Sequence, residues 1–95
     1  IADAAGATDD DTDGIVNVPL SVGQIQAVAF FRRIDSAHCR VSLRSKGEVD
    51  VGGVAERLGG GGHRNAAGCT VAGSYEAAKP IVTSLVLAAL ERARP

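Results

Sequence analysis

A chain of 95 residues is enough for one domain built around a single core. With 45% hydrophobic and 22% charged residues it has the balance of a globular protein and not of a disordered one, and with only Phe30, Phe31 and Tyr75 as aromatics its core must be made of Val, Ile, Leu and Ala. A formal net charge of −1 excludes a global basic field that would recruit nucleic acid from a distance, so any such contact has to be local, to a short end or a single nucleotide.

Residues 1–13 combine small side chains with Asp3, Asp9, Asp10, Asp11 and Asp13 and contain nothing that can pack a core. They read as a flexible acidic linker or chain end; a carboxylate metal site there would lack preorganisation. The chain opens on Ile1 rather than Met and reads as a piece cut from a longer protein, with the folded domain over 14–95.

Residues 14–20 are expected to form a short helix or turn that ends near Pro19. Residues 24–33, QIQAVAFFRR, are rich in branched and aromatic side chains and predict a strand. Asp35, Ser36, Ala37 and His38 carry turn chemistry, with His38 on the turn surface. Residues 39–45 alternate, with Cys39, Val41, Leu43 and Ser45 on one face and Arg40, Ser42 and Arg44 on the other, so the two segments predict a hairpin. Asp50 can cap a helix over 51–58, in which Val51, Val54, Ala55 and Leu58 share a face and which Gly59 stops. Residues 66–72 predict a third strand. Ser74 can cap a closing helix over about 75–93 with the stripe Ala78, Ile81, Val82, Leu85 and Ala89, and Pro80, too deep for the first turn, predicts a kink or a delayed start. The order is β-β-α-loop-β-α, an α+β (mixed α/β) fold with helices packed on a small sheet.

Cys39 and Cys69 have no zinc-ligand spacing and are expected to be free, mostly buried thiols of a cytoplasmic protein. No apolar run approaches the ~18 residues of a membrane span, and no signal peptide is visible.

Gly59 to Gly62 lead into His63. Four glycines in a row cost backbone entropy, which a ligand approaching bare N–H groups would justify; a helix stop and turn would need only one or two. His63 adds a donor, and Asn65 adds an amide that donates and accepts. The run lacks the Gly-Lys-Ser/Thr ending of a Walker loop, and it follows a helix where a dinucleotide fingerprint follows a strand. Arg44, at the end of its strand, can hold a phosphate with two prongs or stand as an ordinary solvated arginine. No nucleophile with a placed base and no His/Asp set with metal spacing is present, so neither a catalytic nor a metal residue is assigned.

The run VSLRSKGEVDVGGVAERLGGGGHRNAAGCTV, residues 41–71, resembles the DHH-associated C-terminal domain of the DHH phosphoesterases, whose hallmark is a glycine-rich loop ending in His and followed by Ala-Ala-Gly, here Gly60 to His63 and Ala66 to Gly68. Ser42 to Ser45, Val49-Asp50-Val51 and Asp13 to Asn17 look most like the bacterial nano-RNase branch, the bifunctional oligoribonucleases and pAp phosphatases, and the resemblance covers roughly residues 11–92. It implies a two-domain parent in which an N-terminal DHH domain carries the catalytic motif and two manganese ions, while this C-terminal domain holds short RNA, pAp or linear dinucleotides and binds no cofactor of its own. It implies phosphate binding by Gly60, Gly61, Gly62 and His63, and substrate contacts from Arg44, Ser45 and Asn65. Two other functions compete: a module of a RecJ-like single-strand DNA exonuclease, which would favour more basic and stacking residues than this chain offers, and a noncatalytic nucleotide-sensing domain.

Overall fold

A computed structural model of the chain describes residues 14–94; the linker assigned to 1–13 lies outside the described residues. The elements are β1 (Ile15–Val22), β2 (Ile25–Asp35), β3 (His38–Ser45), α1 (Val51–Arg57), β4 (Gly61–His63), β5 (Ala66–Ala72) and α2 (Tyr75–Arg92). The strands form one antiparallel sheet in the order β1-β2-β3-β5-β4. The α+β class therefore stands, with two more strands than local patterning predicts.

The first of these corrects the helix or turn expected over 14–20. Val16, Val18, Leu20 and Val22 recur with the period of two that a strand requires, and β1 pairs with β2 from Ile15↔Arg32 to Val22↔Ile25. Pro19 does not break it because β1 is an edge strand, where a missing N–H is tolerated. Gly23, at φ 61°, closes the two-residue turn into β2. At the next turn the Asp35 carboxylate accepts from the Ala37 N–H at 2.8 Å and lies 3.1 Å from His38 Nδ1. The Ala37 hydrogen bond, then His38, holds the Asp35 carboxyl below its ordinary range.

Alternation puts Ala27, Ala29 and Phe31 of β2, Cys39, Val41 and Leu43 of β3, and Ala67, Cys69 and Val71 of β5 on the buried side. They share one core with Val51, Val54 and Ala55 of α1 and Ala78, Val82, Val86, Ala89 and Leu90 of α2, so both helices cover the same face of the sheet. Asp50 caps α1, accepting from the Gly53 N–H at 3.1 Å. Both cysteines are free and buried, and burial pushes both thiols up from their ordinary pKa, which keeps them protonated and unreactive.

α2 begins on its Ser74 cap with Pro80 inside it, so the delayed start is corrected. Its buried face is also rotated from the expected stripe: Val86 and Leu90 are buried, whereas Ile81 is 49% exposed. The sheet selects the stripe that joins the core shared with Phe31, and at the start of the helix the Tyr75 ring stands edge-on to Phe31 at 5.1 Å. Accordingly, Leu90→Ala should lower unfolding free energy by about 2–5 kcal/mol, and Ile81→Ala by less than about 1 kcal/mol, in chemical denaturation. Equal losses would mean the helix presents the other stripe.

Candidate functional site

With both helices on one side, the other side of the sheet is left bare among the described residues, and the register arranges it in rows. Pro19, Val28, Arg44, Ala66 and His63 lie side by side across all five strands. The next row is Asn17, Phe30, Ser42, Gly68 and Gly61, and the one beyond it Ile15, Arg32, Arg40 and Thr70. The structure thus brings Arg44 and His63, 19 residues apart in sequence, onto one row with only Ala66 between them. Both are exposed. Arg44 Nη1 donates to its neighbour's carbonyl, Leu43 O, at 2.9 Å, which braces the side chain and leaves the rest of its fork of N–H groups for a ligand. Beside Arg44 a hollow of about 450 Å³ is lined by Pro19, Gln26, Val28 and Lys46, among others.

No carboxylate occupies these rows. Five of the eleven Asp/Glu (Asp3, Asp9, Asp10, Asp11 and Asp13) fall in residues 1–13, leaving six against ten Lys/Arg in the rest of the chain. The net charge of −1 therefore hides a surplus of four positive charges on the folded part. Several of the carboxylates there are engaged elsewhere: Glu48 with Arg64 at 3.4 Å, Glu91 with Arg94 at 3.4 Å, Asp50 at its cap.

The glycine run resolves residue by residue. Gly59, at φ 87°, ends α1: the Gly60 N–H reaches back to Ala55 O at 2.8 Å and the Gly59 N–H to Glu56 O at 3.1 Å, a pair of bonds that needs a left-handed residue at this point. A Cβ on Gly60 would collide with the Gly68 carbonyl and the Cys69 side chain. Gly62 combines φ 148° with a Cβ position 2.6 Å from Ala67 Cα. What was expected to be a loop is thus, from Gly61 onward, the edge strand β4, pressed against β5. Gly61 alone has an ordinary φ and open space, with no heavy atom within 4 Å of where a methyl would sit. It lies on the bare face, one row from His63.

Ser45 and Asn65 are tied into the chain itself. Ser45 Oγ donates to Val49 O at 2.7 Å; Asn65 Nδ2 donates to Ser45 Oγ at 3.0 Å and to Gly47 O at 3.2 Å. With the Ser45 N–H on Asn65 O at 3.0 Å and the Val51 N–H on Arg64 O at 2.7 Å, these bonds lock the β4–β5 turn to the end of β3, and so fix His63 relative to Arg44. Sequence reasoning did not single out Arg40. Its guanidinium lies over Gly68, where a Cβ would come within 2.8 Å of Nη2, and it shares the bare face with Arg44; the alternation of Arg40, Ser42 and Arg44 was the available signal. Among the described residues no group of three or more His, Cys, Asp or Glu is placed to hold a metal ion, so these residues do not fit a manganese centre. No helix is long and apolar enough to cross a membrane among them.

The profile of the DHHA1 domain matches residues 1–91. The bifunctional oligoribonuclease and PAP phosphatase NrnA of Thermus thermophilus is 38% identical over 69 residues, which make up 73% of this chain and 21% of that protein.

The four glycines should therefore separate in mutagenesis. Gly61→Ala is expected to leave the thermal midpoint within a degree or two, whereas Gly62→Ala and Gly60→Ala, which drive a methyl into backbone, should cost about 1–3 kcal/mol or more. Differential scanning calorimetry of the three variants checks this, and a Gly62→Ala protein as stable as the parent would show that β4 is not pressed on β5 as described.

Proposed function

The chain belongs to the DHHA1 domain family, and from that premise we propose that it is the substrate-holding domain of a larger, manganese-dependent DHH-family phosphoesterase that acts in the cytoplasm on short oligoribonucleotides, pAp or linear dinucleotides. The observation that carries the reading is the row Arg44–Ala66–His63, with Gly61 open beside it. Two donors flank a small residue on a bare, carboxylate-free face, and the one glycine of the 59–62 run without an internal reason to be glycine adjoins them. The similarity to an oligoribonuclease and PAP phosphatase supports it, and so does the span, since the chain matches 21% of that protein's length, as one domain of several would.

In this reading the phosphate sits over Ala66. Arg44 offers a planar, permanently charged fork, His63 a single N–H, and the backbone at Gly60, Gly61 and Gly62 allows the ligand to come close. Ser45 and Asn65 keep the two donors at a fixed separation. The nucleoside attached to that phosphate lies towards the hollow over Pro19 and Val28. The reaction itself takes place on a neighbouring catalytic domain; this chain supplies positioning, which places the scissile bond and turns binding energy into rate. The near absence of aromatics on the face, where Phe30 stands alone, favours a short RNA or nucleotide over the long single-stranded DNA of a RecJ-like enzyme.

In the longer protein, His63→Ala and Arg44→Lys should each cut kcat/KM on short RNA roughly ten- to a hundredfold, the cost of one charge-assisted contact, with unchanged circular dichroism. Full activity in both folded variants would remove the row from substrate binding. The 95-residue chain alone should release no mononucleotide with manganese; binding without any hydrolysis by the longer protein would point to a nucleotide sensor instead, and preference for long single-stranded DNA to the RecJ-like reading.

A further inference from the structure

The outer side of α2 departs from what a helix lying on a sheet needs. Such a helix buries one stripe and turns charged side chains to water. The much shorter α1 does so with exposed Glu56 and Arg57. In α2 the buried stripe is in place, with Val82 and Val86 at its centre, but from Pro80 to Leu90 eleven residues pass without one charged side chain. Ala77, Ile81, Ser84 and Ala88 are nevertheless exposed. At the ~100° step of a helix these four lie within about 60° of one another, on the side away from Val82 and Val86. Ile81 and Ile34, each 49% exposed, are the large apolar side chains most open to water among the described residues. The charges of α2 are gathered at its ends, with Glu76 in the first turn, Arg92 in the last and Arg94 just past it.

From this arrangement we propose that the outer face of α2 is an interface between two copies of this chain, with the two helices packed antiparallel about a twofold axis. The spacing of the exposed stripe selects a second copy as the occupant. Its intervals of four, three and four residues read the same from either end. A helix running the opposite way therefore lays Ala77 on the partner's Ala88 and Ile81 on the partner's Ser84, and the same pairs recur on the other side of the axis, as a twofold interface requires. The small residues let the two backbones come close, and each Ile81 fills the space that Ser84 leaves. Charge agrees with this direction and not with the parallel one: the first turn with Glu76 comes towards the basic last turn of the other copy, and the opposed helix dipoles attract. The catalytic domain of the proposed function has to reach the phosphate over Ala66 on the opposite side of the sheet, which leaves α2 free for this contact. One helix per copy falls short of the ~800 Å² per partner of a standard interface, so the dissociation constant should be on the order of 0.1 mM.

The test is the oligomeric state of the 95-residue chain, followed by sedimentation equilibrium. Between about 10 μM and about 1 mM, a range that brackets the expected constant, the mean mass should rise from that of one chain towards that of two. Ile81→Lys should hold the chain monomeric throughout with unchanged circular dichroism. Ile34→Lys, at an equally exposed side chain on another part of the surface, should associate as the parent does. Orientation is read by oxidative crosslinking of single-cysteine variants, in which the buried Cys39 and Cys69 take no part. A mixture of Ala77→Cys and Ala88→Cys chains should give the mixed disulfide in several-fold excess over either symmetric one. A parent chain that stays monomeric at the highest concentration overturns the proposal, and so does equal weakening by Ile34→Lys and Ile81→Lys. Symmetric disulfides of Ala77→Cys outrunning the mixed one would mean parallel helices and would overturn it as well. The mass and crosslinking results stand even if Ile81→Lys fails to fold.

Discussion

The close approach of β4 to its neighbours is the constraint on which the site depends. Backbone is crowded at three points where only glycine leaves room: Gly52 of α1 against the His63 carbonyl, Gly60 against Gly68 and Cys69, and Gly62 against Ala67. Van der Waals contact at this range has no slack, so β4 can take one position on β5 and His63 one position along the sheet. The hydrogen bonds from Ser45 and Asn65 then tie that position to the end of β3. His63 and Arg44 come from different strands and different stretches of sequence, yet their spacing is set by close non-bonded contact at the glycines and by hydrogen bonds at the turn, with no flexible loop intervening.

The same packing explains why the site is open. Two helices are too few to cover both faces of five strands, and both go to the side where alternation has gathered Ala29, Phe31, Val41, Leu43 and Cys69. The uncovered side keeps small and cationic residues, and the five N-terminal aspartates conceal that surplus in any whole-chain charge count. A nearly neutral sequence can thus present a locally positive face, and the level at which charge is summed decides whether the feature is seen.

Much of this was legible in the sequence. The hairpin of β2 and β3, the Asp50 cap, the strand at 66–72 and the Ser74 cap each follow from alternation or capping chemistry that acts within a few residues. β1 was missed because Pro19 outweighed a clean alternation in the local reading; the tolerance of an edge position for proline depends on strand order, which local patterning does not contain. The rotated face of α2 has the same origin, since Ile81 and Leu90 are equivalent until a sheet is present to choose between them. At the site, Gly59 to Gly62 stood out together, but three of them turn out to serve the helix end and the β4–β5 contact. That division depends on φ values and on neighbours such as Ala67 and Cys69. Arg40 was visible as one of an alternating set and gained interest only when register placed it two rows from Arg44.

Pro19 bears on a different hazard. A five-strand sheet that closes into no barrel has two rims along which another polypeptide can add itself, and here one rim is the three-residue β4, shielded by α1. The other is β1, eight residues long and rich in branched side chains, the composition that templates fibrillar stacking when it is left intact. A residue without an N–H at its fifth position interrupts any ladder that an incoming strand could build. The molecule can therefore leave one broad side uncovered for a ligand while its long rim stays unsuited to self-association.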